Sequence, residues 1–323
     1  MDYSILATLG PASAESSVWS RMIESGVTGF RLNTSHMTVE QVAVWTERLG
    51  AYFVSLGISL PVALDLQGSK WRLGQFEPFE LLVGDPVELV HAKASSESRT
   101  LPVPHADFFR AAKPGDQVAL NDAKSMLRVE SVASESAHAR IELGGAIVPR
   151  KGITLVGNES RAETLGEKDR AIFEVTRAVP FVEYAISYIK DGEEMASYRR
   201  MFGRSARLIG KLERPTAMRD AANVGANANT LWVCRGDLGA EAGLRGMAEL
   251  VYQFNQQVPS IPVPVILAGQ VLEHMTASPT PTRSEVYTIY DALMKGYRGV
   301  VLSDEAAVGK FPVEACKAAA MFR

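Results

Sequence analysis

Seven short apolar runs in this chain end on side chains that can do chemistry: Thr8, Arg31 with Asn33, Asp65, Ser187, Lys211 with Glu213, Asp237, and Ser303. Arg31 and Asn33 are two apart, as are Lys211 and Glu213. In an extended strand that spacing puts both side chains of a pair on one face. Glu213 and Asp237 are carboxylates at the ends of neighbouring runs. With oxygen donors only and no His beside them, they suit Mg2+ or Mn2+ better than zinc. Lys211 shares its face with Glu213, either as an ion-pair partner or as a cation acting on a substrate. Arg235-Gly236-Asp237 supplies a turn whose glycine lets a carboxylate approach main-chain N–H groups. Any one of these residues alone reads as an ordinary loop-edge polar residue. Spread over so many run ends, the set reads as one shared site.

The runs themselves are Ser4 to Leu9, Thr28 to Asn33, Leu60 to Leu66, Phe181 to Ser187, Arg207 to Glu213, Thr230 to Arg235, Val263 to Ala268 and Gly299 to Ser303. Several are rich in β-branched residues or bounded by Gly, as buried parallel strands are. Between most of them apolar residues recur every three or four positions, in Ser17 to Ser25, Val39 to Ser55, Lys168 to Val179, Glu193 to Phe202, Ala240 to Gln257 and Glu285 to Lys295. Eight strands alternating with helices predict an α/β fold, a (β/α)8 TIM barrel, whose catalytic residues belong at the C-terminal strand ends.

One segment breaks the rhythm. From Phe76 to Lys151 the period becomes two, as in Asp85-Pro-Val-Glu-Leu-Val, Asp116-Gln-Val-Ala-Leu and Ala139-Arg-Ile-Glu-Leu. Turn signals at Gly84-Asp85, Pro114-Gly115-Asp116 and Gly144-Gly145 separate the runs. This predicts a small all-β domain inserted after the third barrel strand. The expected division is residues 1–75 and 152–323 for the barrel and 76–151 for the insertion, with hinges at Gly74-Gln75 and Lys151-Gly152.

Composition narrows the classes. Lys and Arg number 34 against 37 Asp and Glu, so the basic excess of a general nucleic-acid binder is missing. No apolar run reaches the roughly 18 residues of a membrane span, and Met1-Asp2-Tyr3-Ser4 lacks a basic leader start. Cys234 and Cys316 suggest neither a disulfide framework nor a zinc site. A cytoplasmic protein is expected. His91, His105 and His138 lie in the insertion without clustered carboxylates or Cys and read as surface residues, and His274 as structural.

The motifs resemble those of pyruvate kinase. Ala7-Thr-Leu-Gly-Pro-Ala-Ser13, Phe30-Arg-Leu-Asn-Thr-Ser-His36 and Ala63-Leu-Asp-Leu-Gln-Gly68 are similar to that family's first three strand-end motifs. Ile209-Gly-Lys-Leu-Glu213, Val233-Cys-Arg-Gly-Asp-Leu-Gly239, Pro281-Thr-Arg-Ser-Glu285 and Leu302-Ser-Asp-Glu305 follow four later ones in order. The resemblance implies that Glu213 and Asp237 are Mg2+ ligands and that Lys211 stabilises the enolate and the phosphoryl group in flight. It implies phosphate contacts for Arg31, Arg72 and Ser187, and substrate-carboxylate contacts for the backbone of Gly236 and Asp237. It sets His36 and Lys151 near the nucleotide phosphates, Thr8 and Pro11 beside the nucleotide, and Asp122 in the lid that the insertion would form. Asn33, Ser35 and Asp65 match ligands of a potassium ion.

Departures from the family pattern carry their own expectations. Lys70 stands where potassium-dependent members have Glu, which implies an ammonium near Asp65 in place of the ion and no K+ requirement. Ala123 follows Asp122 where Gly is usual, and Gln41 stands about where an aromatic residue packs near the adenine. Gly269 replaces a threonine whose hydroxyl assists enolate protonation beside the pyruvate methyl. The family's C-terminal domain is expected to be absent. A phosphotransferase acting on phosphoenolpyruvate and ADP ranks first. A Mg2+-dependent pyruvate aldolase using the same enolate stands close behind, since Gly269 opens space where an aldehyde could approach. A non-catalytic metabolite-binding paralogue ranks last. The expected partners are phosphoenolpyruvate or pyruvate, with ADP or ATP, and neither nucleic acid nor membrane; a homo-oligomer through the barrel is compatible.

Overall fold

A short apolar run bounded by turn residues buries both its faces best as a parallel strand in a closed sheet. In the computed structural model, which describes residues 1–121, 123–158 and 165–323, eight runs do this. The strands Ser4–Leu9, Gly29–Asn33, Val62–Leu66, Val182–Ile186, Arg207–Leu212, Thr230–Cys234, Val265–Ala268 and Gly299–Leu302 form a closed barrel, each parallel to its neighbours in sequence order. Helices lie between them, including Ser16–Glu24, Val39–Leu56, Glu167–Thr176, Gly192–Phe202 and Arg283–Met294. The α/β barrel read from the sequence is the fold of this unit.

The barrel interior is packed, not open. Leu6, Ala63, Ala185, Ile209, Trp232, Ile266 and Val301 form one buried cluster contributed by seven strands. The small Ala63 and Ala185 offset the bulk of Trp232 in that cluster. Local signals set the helix ends. Thr38 and Gln41 form a capping box at one helix start, Thr282 and Glu285 at another. Gly57, at φ +63°, ends the helix Val39–Leu56.

The helix expected from Ala240 begins earlier. Helical residues run Arg235–Asn255 with a break at Gly243, whose φ of +70° interrupts the ladder. The glycines at 236 and 239 dilute the apolar period at its start. Short helices at Pro215–Arg219, Ala221–Asn227 and Pro312–Ala319 also escape the periodicity. Two of them start with Pro at the first helical position, where its missing N–H costs nothing. Among the described residues no helix is long and apolar enough to cross a membrane.

The second compact unit comprises described residues 69–158 and 236–250. Six strands lie in the order Ile153–Leu155, Gln117–Leu120, Ser125–Val132, Ser136–Leu143, Pro86–Val90 and Thr100–Pro102, antiparallel except for the last pair. Gly145–Ile147 pairs with Phe79–Leu81 in a separate ribbon. The inward residues of the period-two runs, among them Val87, Leu89, Val118, Leu120, Ala139 and Ile141, share one core with Trp71 and Phe108. The segment is not purely β, because Ala106–Ala111 forms a short helix that buries Phe108 and Phe109. His105 precedes it and is half-buried. Its Nε2 accepts the Arg72 N–H at 3.0 Å, so it is not the free surface histidine expected from sequence.

Candidate active site

Parallel register decides which side chains meet at the C-terminal end of the barrel. Thr8 lies level with Arg31, Asn33 with Asp65, and Asp65 with Ala185, two residues before Ser187. Asp65 becomes the hub. Its Oδ1 accepts from Lys211 Nζ at 2.9 Å and from Ser187 Oγ at 3.1 Å. Its Oδ2 accepts from Arg31 Nε at 2.7 Å, with Arg31 Nη2 at 2.6 Å. Arg31 Nη1 donates to Thr8 Oγ1 at 2.9 Å, and Thr8 donates onward to Leu302 O at 2.7 Å. Thr8 therefore supports Arg31.

Lys211 is 7% exposed and places its ammonium among three oxygens: Asp65 Oδ1, Ser187 Oγ at 2.8 Å and Glu213 Oε1 at 2.7 Å. Two of these contacts are hydrogen bonds, to Asp65 and Ser187, and the third is an ion pair with Glu213. Burial alone would lower its pKa; the Asp65 and Glu213 charges overcome that and hold it well above the usual lysine range. Burial likewise pushes the Asp65 carboxyl up, but Lys211 and Arg31 bring it below the usual carboxylate range. Arg31 stays charged for the same reason, its burial outweighed by Asp65. The cluster holds opposite charges at buried positions.

Glu213 is fully buried, and its Oε2 accepts the Tyr188 N–H at 2.7 Å. Tyr188 adopts φ +60°, a left-handed conformation that costs a non-glycine residue about 1–2 kcal/mol. That turn aims its N–H at the carboxylate. The buried Arg214 guanidinium faces the Tyr188 carbonyl at 3.5 Å. Sequence reading missed both residues, since neither spacing nor composition marks a strained turn.

The loop after the seventh strand carries Gly269 at φ +79° followed by Gln270 at φ +53°. Arg235 holds it. Nε and Nη2 donate to Gly269 O at 3.1 and 2.8 Å, and Nη2 also donates to Gln270 O at 2.8 Å. Burial lowers the Arg235 pKa. Gly269 is thus more than a missing hydroxyl, because the backbone there has a form that a β-branched threonine resists.

Other candidate residues fall at the edges of this unit. Asn33 Oδ1 accepts the Ser35 N–H at 3.3 Å, capping the turn Thr34–His36; Ser35 is buried and His36 exposed. Thr34 Oγ1, unmarked by the sequence, donates to Asp65 O at 2.7 Å. Pro11, itself exposed, opens the turn Pro11–Ser13 after the first strand.

In the second unit Lys70 Nζ ion-pairs with Asp237 Oδ1, both side chains being at most 16% exposed. Sequence reading set that ammonium beside Asp65; the structure seats it on a carboxylate expected to bind metal. Arg72 Nη1 donates to Arg150 O at 2.9 Å. Leu73 N–H donates to Lys151 O at 2.9 Å, and Ile153 N–H to Trp71 O at 3.1 Å. Arg72 and Lys151 thus lie on two paired chain segments. A Cβ on Gly236 would meet only open space. Asp122 lies outside the described residues.

A lysine, an arginine and two carboxylates at barrel strand ends suit chemistry on an anionic substrate, and the family model for the pyruvate kinase barrel domain matches residues 2–316. The chain belongs to the pyruvate kinase family. It is 33% identical over 313 residues to a pyruvate kinase of Agrobacterium vitis, covering 96% of this chain and 66% of the relative. It is also 33% identical to a pyruvate kinase of Aeropyrum pernix over 314 residues, 96% of this chain and 68% of that one. For the pyruvate kinase of Methylorubrum extorquens the identity is 31% over 319 residues, with 96% and 66% covered. The chain thus spans about two thirds of the length of these pyruvate kinases.

Proposed function

We propose that this chain is a Mg2+-dependent phosphotransferase converting phosphoenolpyruvate and ADP into pyruvate and ATP through enolpyruvate. The observation that supports it most is the buried Lys211 ammonium held among Asp65, Ser187 and Glu213, with Arg31 on the other oxygen of Asp65. In this reaction the bond from phosphorus to the enol oxygen breaks, and phosphorus bonds to a β-phosphate oxygen of ADP. The enolate left behind takes a proton at its methylene carbon. Such a step depends on positioned cations facing oxygens that carry charge. Lys211 and Arg31 are those cations in the barrel unit, and Ser187 orients Lys211. Arg72 and Lys151 join them on the strength of the motif match, as do His36, Thr8, Pro11 and Asp122 toward the nucleotide.

The N–H groups of Gly236 and Asp237 lie in the first turn of the helix Arg235–Asn255, where intrahelical acceptors are lacking, and would hold the substrate carboxylate. The open space beside Gly236 leaves room for that approach. Glu213 offers hard oxygen donors suited to Mg2+ or Mn2+, and Asp237 is the second carboxylate by motif match. Among the described residues no three His, Cys, Asp or Glu side chains converge, so substrate oxygens would complete the ion's shell. When bound, the ion neutralises charge on the enolate and phosphoryl oxygens. In the same reading no K+ is required, the inserted unit acts as a lid that excludes water, and the protein works in the cytoplasm.

Gly269 supports a second reading, a Mg2+-dependent pyruvate lyase, because no side-chain hydroxyl stands there to protonate the enolate. Proton NMR of pyruvate in D2O with Mg2+ tests what the two readings share. Methyl exchange requires the enolate, and its absence contradicts both. Cleavage of a 4-hydroxy-2-oxo acid without ATP formation from phosphoenolpyruvate and ADP selects the lyase.

A further inference from the structure

The helix Glu167–Thr176 opens with a dipeptide that ties down two strand ends at once. Asp169, 2% exposed, accepts the N–H groups of Gly68 at 2.9 Å and Gln67 at 3.3 Å, both just past the third strand. Lys168 Nζ donates to Thr34 O at 2.6 Å and Ser35 O at 3.4 Å, just past the second strand. The Gln67–Gly68 peptide is also pressed against the fourth strand's end. Gly68 has φ +59°, and a Cβ on it would lie 2.0 Å from Ser187 O. No side chain fits there, so the contact is backbone on backbone. Ser187 in turn sets its hydroxyl between Lys211 and Asp65.

We propose that Asp169, with Lys168, is a positioning residue: it holds the Gln67–Gly68 peptide against Ser187 and so fixes the hydroxyl that orients Lys211. The chain of contact runs Asp169, Gly68, Ser187, Lys211, each link within the barrel unit. Burial pushes the Asp169 carboxyl up against the two N–H groups that favour its charge. A buried carboxylate with two N–H donors is a costly group to retain, and its contacts are the two amides that set Ser187. The inference deepens the phosphotransfer reading and rests on it for the kinetic consequence alone.

The test is Asp169→Asn in the full chain, with Asp169→Glu as the rescue. Asn keeps one acceptor and turns an NH2 toward the other N–H. Hydrogen exchange at Gln67 and Gly68 should quicken by about tenfold or more, the loss of roughly one hydrogen bond to a charged group. With phosphoenolpyruvate as substrate, kcat should fall by a similar factor while KM stays within about twofold, and Glu should recover most of the loss. Three outcomes overturn the proposal: wild-type Gln67 and Gly68 amides exchanging at the unprotected rate, faster exchange in Asp169→Asn with kcat unchanged, or an equal fall in kcat for Asn and Glu. The first needs no variant, so it stands even if Asp169→Asn does not fold. If the wild type shows no phosphotransfer, exchange at Ser187 and Tyr188 decides. Faster exchange there in Asp169→Asn upholds the positioning role while the functional reading falls, and unchanged exchange there overturns it.

Discussion

Replacing Lys211 with Met removes one ammonium and keeps nearly the same volume. Glu213 and Asp65 stay behind at 0% and 3% exposure. Asp65 retains Arg31, and Glu213 retains the Tyr188 N–H, but the cation between them is gone. Breaking a buried ion pair by removing one partner costs about 3–5 kcal/mol, so Lys211→Met should lose about that much unfolding free energy near pH 7.5. The loss should shrink in acid, and the sign follows from the shifts. Lys211 is raised, so its contribution is fully present below the ordinary lysine pKa and constant from pH 5 to 8. Asp65 is lowered in the wild type, so its contribution is present above the ordinary carboxylate pKa and lost only as pH falls through the lower folded value. In the variant the Lys211 attraction is missing and burial acts on Asp65 with less opposition. The folded variant then takes up a proton more readily than the wild type as pH falls toward 5, and the deficit narrows. Urea denaturation of both proteins at pH 7.5 and 5.0 measures this. A deficit under about 1 kcal/mol, or one equal at both pH values, would refute the charge network as described.

Gly269→Ala should cost about 1–2 kcal/mol of unfolding free energy because of its φ of +79°, and Gly269→Thr more; an unchanged urea midpoint would mean the left-handed turn is not kept. Glu305 is a buried acid whose burial raises its pKa to about 7, while the Leu272 N–H, donated to Oε1 at 3.3 Å, opposes the rise. A raised carboxyl binds its proton more tightly folded than unfolded, so stability should fall as pH rises from about 4.5 to 7, by about 3 kcal/mol at most. Glu305→Gln should flatten that slope in denaturation curves between pH 5 and 8; an identical slope would count against it. Turnover in potassium and in tetramethylammonium buffers should agree if no K+ is required, and strong potassium stimulation would contradict that.

The barrel was legible because the strands are short, mostly apolar runs and seven of the eight end at or just before a polar residue. The i, i+2 spacing of Lys211 and Glu213 correctly put both on one face, where they pair at 2.7 Å. Partner choice was not legible. Asp65 was read beside Asn33 and Ser35, yet parallel register and the reach of Lys211 and Arg31 make it the hub of the charge cluster. Lys70 and Asp237 are 167 residues apart, and no local pattern encodes their pairing. The same holds for Asp169 with Gly68, 101 residues apart, where the only local sign was an acid in the first turn of a helix. Left-handed Tyr188 escaped because aromatic residues rarely adopt that form. The period-two insertion was visible, but the helix Ala106–Ala111 was too short to show a period.

Phosphoryl transfer at the Lys211 cluster is directly observable. Phosphorus NMR of the full chain with phosphoenolpyruvate, ADP and Mg2+ tests it most directly, with Lys211→Met run alongside. The phosphoenolpyruvate resonance should decline as the three ATP resonances grow, and Lys211→Met should slow this by at least about a hundredfold. A wild-type spectrum in which phosphoenolpyruvate and ADP persist unchanged, or a Lys211→Met variant that makes ATP at the wild-type rate, would contradict it.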